Sequence, residues 1–84
     1  MSFTTYILFN PVLDRYYIGS TGNLEDRFSR HNQGRSKATK AGAPHWQIVY
    51  TKDFPTRAQA VQWKLSIKMK KRRAFIETLI QNEE

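Results

Sequence analysis

The sequence predicts a small α/β domain of the mixed α+β kind, and three observations carry that expectation. Two runs of β-branched and aromatic residues, Thr4 to Phe9 and Arg15 to Ser20, flank an Asn10-Pro11 turn signal. A third run of the same character extends from Trp46 to Phe54. From Thr56 onward apolar residues recur at helical spacing instead. With 84 residues the chain makes one domain, 1–84, near the lower end of what a single hydrophobic core sustains without other support.

The first two runs read as an antiparallel hairpin. Strand side chains alternate, so Tyr6 and Leu8 face one side of the sheet and Ile7 and Phe9 the other, while Tyr17 is opposed to Tyr16 and Ile18. Gly19 adds a position without a side chain near the strand end, where another group can approach closely. Thr21-Gly22-Asn23 then precedes Leu24-Glu25-Asp26-Arg27-Phe28, a helix start with Asn23 or Thr21 as cap and two acids in the first turn. Leu24 and Phe28, four apart, face the core. Arg27 and His31, also four apart, share a second face, and Gly34 is a natural stop. Arg35 to Pro44 carries Lys37 and Lys40 and little apolar content, which predicts a surface loop with freedom to move.

In the C-terminal part Thr56 is a candidate cap. Ala60, Trp63 and Ile67 recur at i, i+3 and i+7 as one stripe, with Lys64 inside it at i+4. Arg73 to Gln81 places Phe75, Ile76, Leu79 and Ile80 on one side of a helix. No Gly or Pro marks a break near Lys70-Lys71, so the residues alone leave one helix or two open.

Composition narrows the function classes. The 13% aromatic content supports a small core, because each buried ring removes a large apolar area from water. Cysteine is absent, which excludes disulfides and thiolate zinc sites, and two histidines alone cannot make a zinc cage. The first five residues lack the cationic start and apolar run of a signal peptide, and no later segment approaches membrane-spanning length. A soluble cytoplasmic protein with no membrane partner is the expectation. Fourteen Lys and Arg against seven Asp and Glu give a net charge of +7, a field that attracts phosphate polymers. Many small ribosomal and nucleoid proteins share that balance, so charge names a partner class only.

The ordered motifs say more. Tyr6-Ile7-Leu8, Tyr17-Ile18-Gly19-Ser20-Thr21, Arg27 to His31-Asn32, Thr39-Lys40, Trp46 to Tyr50, and Ala60 to Ile67-Lys68 follow one another at compatible spacings. Each is weak alone, but six in order make chance a poor explanation. The set resembles the GIY-YIG nuclease family, most closely its compact single-domain members, over nearly the whole chain. That resemblance implies a three-stranded, mainly antiparallel sheet flanked by helices, with two helices after Pro55. It implies hydrolysis of a DNA phosphodiester by in-line attack on phosphorus, beside Mg2+ or another divalent metal. Tyr6 or Tyr17 would act as base or position the water, Arg27 would fork onto phosphate oxygens, and His31 would donate to the phosphate or orient a tyrosine. A tyrosine with a pKa of about 10 is a poor base at neutral pH unless cations lower it, and Arg27 and Lys40 are the expected neighbours. Simple strand packing competes for the tyrosines, as expected of Tyr16 and Tyr50, and exposure beside Arg30 competes for His31.

The departure is Lys64, which stands where the resembled family carries its metal-binding glutamate. A charged lysine offers no lone pair, whereas hard cations want carboxylate oxygens. The seven acids, Asp14, Glu25, Asp26, Asp53, Glu77, Glu83 and Glu84, supply no obvious substitute, with Glu25 and Asp26 beside Arg27 the nearest candidates. Three readings of Lys64 follow: catalysis lost with DNA binding kept, its ammonium standing in for the metal's charge, or a side chain that snorkels to solvent and has no role.

Lys68, Lys70, Lys71, Arg72 and Arg73 form a cationic run that is either a solvated helix end or, with Lys37 and Lys40, a phosphate-contact surface. No stacking platform or groove-reading helix is evident, so duplex, single strand and RNA are not distinguished. The sequence therefore predicts a GIY-YIG-type endonuclease domain acting on DNA, branched or nicked forms included, with catalytic candidates Tyr6, Tyr17, Arg27, His31 and Lys64 and with metal-dependent activity in doubt. A targeting protein partner would supply specificity that the chain alone does not show. The alternatives are a non-catalytic nucleic-acid-binding module on the same scaffold and a basic protein that binds a protein or ribosomal RNA.

Overall fold

The hairpin forms as the alternation requires. In the computed structural model, which describes residues 2–70 and 72–81, β1 (Phe3–Asn10) pairs antiparallel with β2 (Arg15–Thr21), placing Tyr6 opposite Gly19 and Leu8 opposite Tyr17. The turn is held by the Asn10 side chain, whose Oδ1 accepts from the Val12 and Leu13 N–H groups at 3.0 and 2.9 Å. Strand β3 (Gln47–Phe54) pairs antiparallel with the other edge of β1, so the order is β2-β1-β3 and the sheet is antiparallel throughout. It starts one residue later than the run of strand-forming residues. Ile7 pairs with Tyr50 and Leu8 with Ile48, which leaves Val49 as an extra residue that bulges β3.

Helix α1 (Leu24–Asn32) uses both candidate caps. Asn23 Oδ1 accepts from the Asp26 N–H at 3.1 Å, and Thr21 Oγ1 accepts from the Asn23 N–H at 3.1 Å. Thr56 caps α2 (Arg57–Lys70) through the Gln59 N–H at 3.2 Å, and α3 (Arg73–Gln81) follows. Two helices therefore follow Pro55; Lys71, within the cationic run, lies outside the described residues, as do Glu83 and Glu84. No helix among the described residues is long and apolar enough to cross a membrane.

The central strand separates two apolar clusters. On one face Ile7, Ile18, Tyr50 and Ile67 are buried, with Trp63 of α2 and Phe75, Ile76, Leu79 and Ile80 of α3 packed against them. On the other, Tyr6, Leu8 and Trp46 are buried against Tyr17 and against Leu24 and Phe28 of α1. Thr5 to Leu8 are all buried because β1 is covered on both faces. The periodicities seen in the sequence thus resolve into helix–sheet–helix layers around one strand.

The segment Arg35 to Pro44 is largely exposed, as expected of a surface loop, but it is anchored to the core at two residues. It makes a 3-10 turn over Lys40–Gly42, and Thr39 and Gly42 are buried. Asn10 Nδ2 donates to the Gly42 carbonyl at 2.8 Å, and Trp46 Nε1 donates to the Thr39 carbonyl at 2.9 Å. Its few apolar residues gave no sign of this, because polar bonds from Asn10 of β1 and from Trp46, both outside the segment, hold it in place.

Gly42 has no room for a side chain. A Cβ there would collide with Asn10 Nδ2 and approach Trp46 Nε1 to 2.8 Å. Gly42→Ala should lower stability by about 1–3 kcal/mol, the usual range for an overpacked site. Urea unfolding followed by tryptophan fluorescence would check it, and an unchanged midpoint would mean that this loop is not tied to the core.

Candidate active site

Tyr6 and Tyr17 lie on the same face of the hairpin, two positions out of register on neighbouring strands, and α1 lowers His31 between them. The Tyr6 hydroxyl and His31 Nε2 are 3.0 Å apart, and His31 Nδ1 and Thr39 Oγ1 are 2.6 Å apart. A neutral imidazole donates at one nitrogen and accepts at the other, so in either tautomer Thr39, His31 and Tyr6 form one continuous hydrogen-bonded chain. Tyr6 takes its place because its partner is Gly19, where a Cβ would stand 2.6 Å from the ring carbon that bears the hydroxyl. The Tyr17 ring is 5.0 Å from the His31 ring and 6.5 Å from the Tyr6 ring, centroid to centroid.

Exposure divides the two tyrosines. Tyr6 and His31 are each 1% exposed, whereas Tyr17 is only partly buried. Tyr17 is the phenol that solvent reaches, and Tyr6, His31 and Thr39 lie buried behind it. His31 is thus a core residue, not the exposed helix residue that its neighbours Arg27 and Arg30 made plausible.

The electrostatics of Tyr6 and His31 are set first by burial. The Tyr6 phenol is held far above the ordinary tyrosine range, first by burial and then by Tyr17, and Arg27 opposes this without prevailing. Tyr6 therefore stays protonated at neutral pH, because the nearby Arg27 guanidinium does not offset its burial. His31 is pushed below its ordinary value by burial and by the Arg27 guanidinium, so its neutral form is favoured. Arg27 is thus close enough to act on both groups while remaining exposed itself. Lys40, the other cation expected there, is exposed in the 3-10 turn and is not among the charges acting on Tyr6.

Lys64 is partly buried on the face of α2 that carries Ala60 and Ile67 toward the sheet. The Ala60 carbonyl accepts from Thr5 Oγ1 at 2.7 Å, and Ile67 packs on Ile7 and Ile18. One turn beyond Lys64, the Lys68 ammonium lies 6.0 Å from the centre of the Tyr17 ring. This contact brings Lys68 from the cationic run to the site. The rest of the run is divided. Arg72 is exposed, Lys70 stands over Phe75 at 5.6 Å, and Arg73 is held by Asp14 at 2.6 Å and Glu77 at 3.0 Å. Lys37 is exposed on the loop after α1, where Arg27, Arg30, Arg35 and Ser36 line a shallow cleft.

Thr39, Asn32 and Trp46 are supporting residues that had not been given a role. Asn32 Nδ2 donates to the Trp46 carbonyl at 2.9 Å, and its Oδ1 accepts from the Trp46 N–H at 2.9 Å, so α1 is fastened to the start of β3. All three stood inside the ordered motifs, which was the only signal available.

The donor set does not fit a hard divalent cation. No group of three or more His, Cys, Asp or Glu that could hold a metal occurs among the described residues. Asp26 is paired with Arg30 at 3.1 Å, Asp53 accepts from Thr4 at 2.6 Å, Asp14 and Glu77 hold Arg73, and Glu25 is exposed. Both nitrogens of His31 are occupied.

A buried neutral histidine makes stability depend on pH with a definite sign. Below the ordinary value of 6.5 the unfolded chain binds more protons than the folded one, so stability rises with pH there. The His31 contribution is fully present above that value and is lost as pH falls through the lowered folded value. Urea midpoints should therefore fall between about pH 7 and about pH 5, and fall less in His31→Gln. An identical pH slope in the variant would refute a buried neutral His31.

Comparison with known proteins gives a consistent answer. The GIY-YIG catalytic domain matches residues 2–78. UPF0213 proteins of Streptococcus pneumoniae, from serotype 4 and from strain R6, are each 33% identical over 70 residues, covering 82% of this chain and 70% of theirs. The solution NMR structure of the UPF0213 protein BH0048 from Bacillus halodurans matches with a TM-score of 0.59 at 26% identity, covering 99% of this chain and 87% of that one. Tyr6, Tyr17, Arg27 and His31 thus sit on a matched scaffold from the first strand to the last helix, and the chain belongs to the GIY-YIG catalytic domain family.

Proposed function

We propose that the protein engages DNA through its phosphodiester backbone at Tyr17, with Arg27 and Lys68 as the flanking cations, and that it does so without a divalent metal. The observation that carries this reading is the convergence of Tyr17 with the Tyr6–His31–Thr39 chain beside two cations and no carboxylate set. Arg27 and Lys68 meet the phosphate charge, and the Tyr17 hydroxyl donates to a phosphate oxygen. The protonated Tyr6 fixes the imidazole, which in turn packs at a tilt against the Tyr17 ring. Metal-dependent cleavage is lost because an ammonium at Lys64 repels a cation that a carboxylate would hold. The protein is then a DNA-binding module on a nuclease scaffold.

One observation favours a second reading. A complete buried chain from Thr39 through His31 to Tyr6 is more than backbone binding needs, and it suits a reaction that moves a proton. There the Lys64 ammonium would stabilise the phosphoryl transition state in the metal's place.

Binding should weaken with salt, with a log–log slope of roughly −2 to −4 for the few cations near the site. Arg27→Ala should cost about 1.5–3 kcal/mol of that binding, as for a hydrogen bond to a charged group. Branched, nicked and duplex DNA would be incubated with the protein and with Lys64→Glu, in Mg2+, in Mn2+ and in chelator. The expected result is salt-dependent binding without cleavage by the native chain, and Mg2+-dependent cleavage gained by the variant. Chelator-resistant cleavage by the native chain that disappears in Lys64→Ala would replace the first reading with the second. Failure to bind any DNA would sink both.

A further inference from the structure

Beside Tyr17 the surface opens into a groove along the outer edge of β2, where the end of α2 and the start of α3 meet the edge strand. Its volume is about 370 Å³. Tyr17, Ile18, Ile67 and Ile76 wall it, and Lys68 and Arg72 stand on its rim. That volume falls in the range of roughly 300–1,000 Å³ typical of small-ligand sites, far below what a duplex occupies.

Charge is distributed unevenly around this groove. Arg73 also borders it, but its guanidinium is committed to Asp14 and Glu77 and lies over the Tyr16 ring at 5.2 Å, so it closes the groove instead of offering a free charge. Lys68 and Arg72 form no ion pair among the described residues. The groove thus joins an apolar wall, two cations with no ion pair among the described residues and one phenol, and the phenol belongs to the site already described. A nucleotide has the same division, with a flat apolar base at one end and an anionic phosphate at the other.

We propose that this groove takes one unpaired nucleotide of a DNA strand, the neighbour of the phosphodiester held at Tyr17. Its base lies against Ile76 and the Tyr17 ring, and its phosphate sits between Lys68 and Arg72. The proposal rests on the Tyr17 contact and adds a substrate class to it. A base inside a duplex reaches such a groove only after unstacking and unpairing, so single strands, overhangs and frayed ends are selected over blunt duplex. No such surface is legible along the chain, because Tyr17, Ile67 and Ile76 come from three separate elements.

Fluorescence anisotropy with labelled oligonucleotides of about twelve nucleotides tests this on the full chain. At one salt concentration, single-stranded DNA should bind at least about fivefold more tightly than blunt duplex, in line with the contribution of one stacked base. A single abasic nucleotide moved along the strand removes a base and no charge. It should weaken binding about fivefold at one position and little elsewhere. Arg72→Glu, at an exposed position, should weaken single-strand binding. In methyl NMR, thymidine 5′-monophosphate should shift Ile18, Ile67 and Ile76 but not Ile48. Salt-dependent binding that ignores strandedness and abasic position would overturn the groove proposal and leave the Tyr17 contact standing. No binding to any DNA would overturn both.

Discussion

A neutral imidazole buried under a helix requires a donor on one side and an acceptor on the other, and much of this structure is arranged to supply them. His31 is placed by α1, Tyr6 by the central strand, and Thr39 by a loop that would otherwise have little reason to enter the core. Each partner has its own support. Gly19 lets the Tyr6 ring lie flat against β2, and the Trp46 indole takes up the Thr39 carbonyl. Asn32 binds both backbone groups of Trp46, and Asn10 ties Gly42 to the hairpin turn. No buried side-chain polar atom among the described residues lacks a partner, which is the condition under which a polar network rigidifies a core instead of weakening it.

That arrangement explains how so short a chain presents an ordered site. The apolar cluster on the α1 face has only three buried members, Tyr6, Leu8 and Trp46, and two of these also belong to the polar network. The other face, with Ile7, Ile18, Tyr50 and Ile67 under α2 and α3, is more fully apolar. Stabilisation is therefore spread unequally over the two sides of β1: the α1 side leans on the Tyr6–His31–Thr39 hydrogen bonds, and the α2–α3 side leans mainly on apolar packing. Tyr17 and Lys68 meet around the β2 edge, where the two sides come together.

The scaffold was legible in the residues because alternation in β1 and β2, the caps Asn23 and Thr56, and the Ala60–Trp63–Ile67 stripe are local signals. Their physics acts within a few residues of the chain. The division of labour between the tyrosines was not legible. Tyr6 and Tyr17 have the same chemistry and the same strand preference, and only the covering by α1 and the 3-10 turn makes one a buried partner of His31 and the other a surface phenol. The anchoring of the loop from Arg35 to Pro44 was not legible for a related reason. Its anchors, Asn10 and Trp46, lie outside it and act through backbone carbonyls, which leave no mark on its composition.

The sequence by itself determined the order of elements and the family, since each depends on residue identity at a fixed spacing. Tertiary structure alone decided the protonation states. Burial holds the Tyr6 proton and disfavours one on His31, and burial is a property of everything packed around a side chain. It also decided which cations are free. Arg73 is neutralised by Asp14, brought by the fold from the distant hairpin turn, while Lys68 is directed to Tyr17 by the packing of α2 on β2.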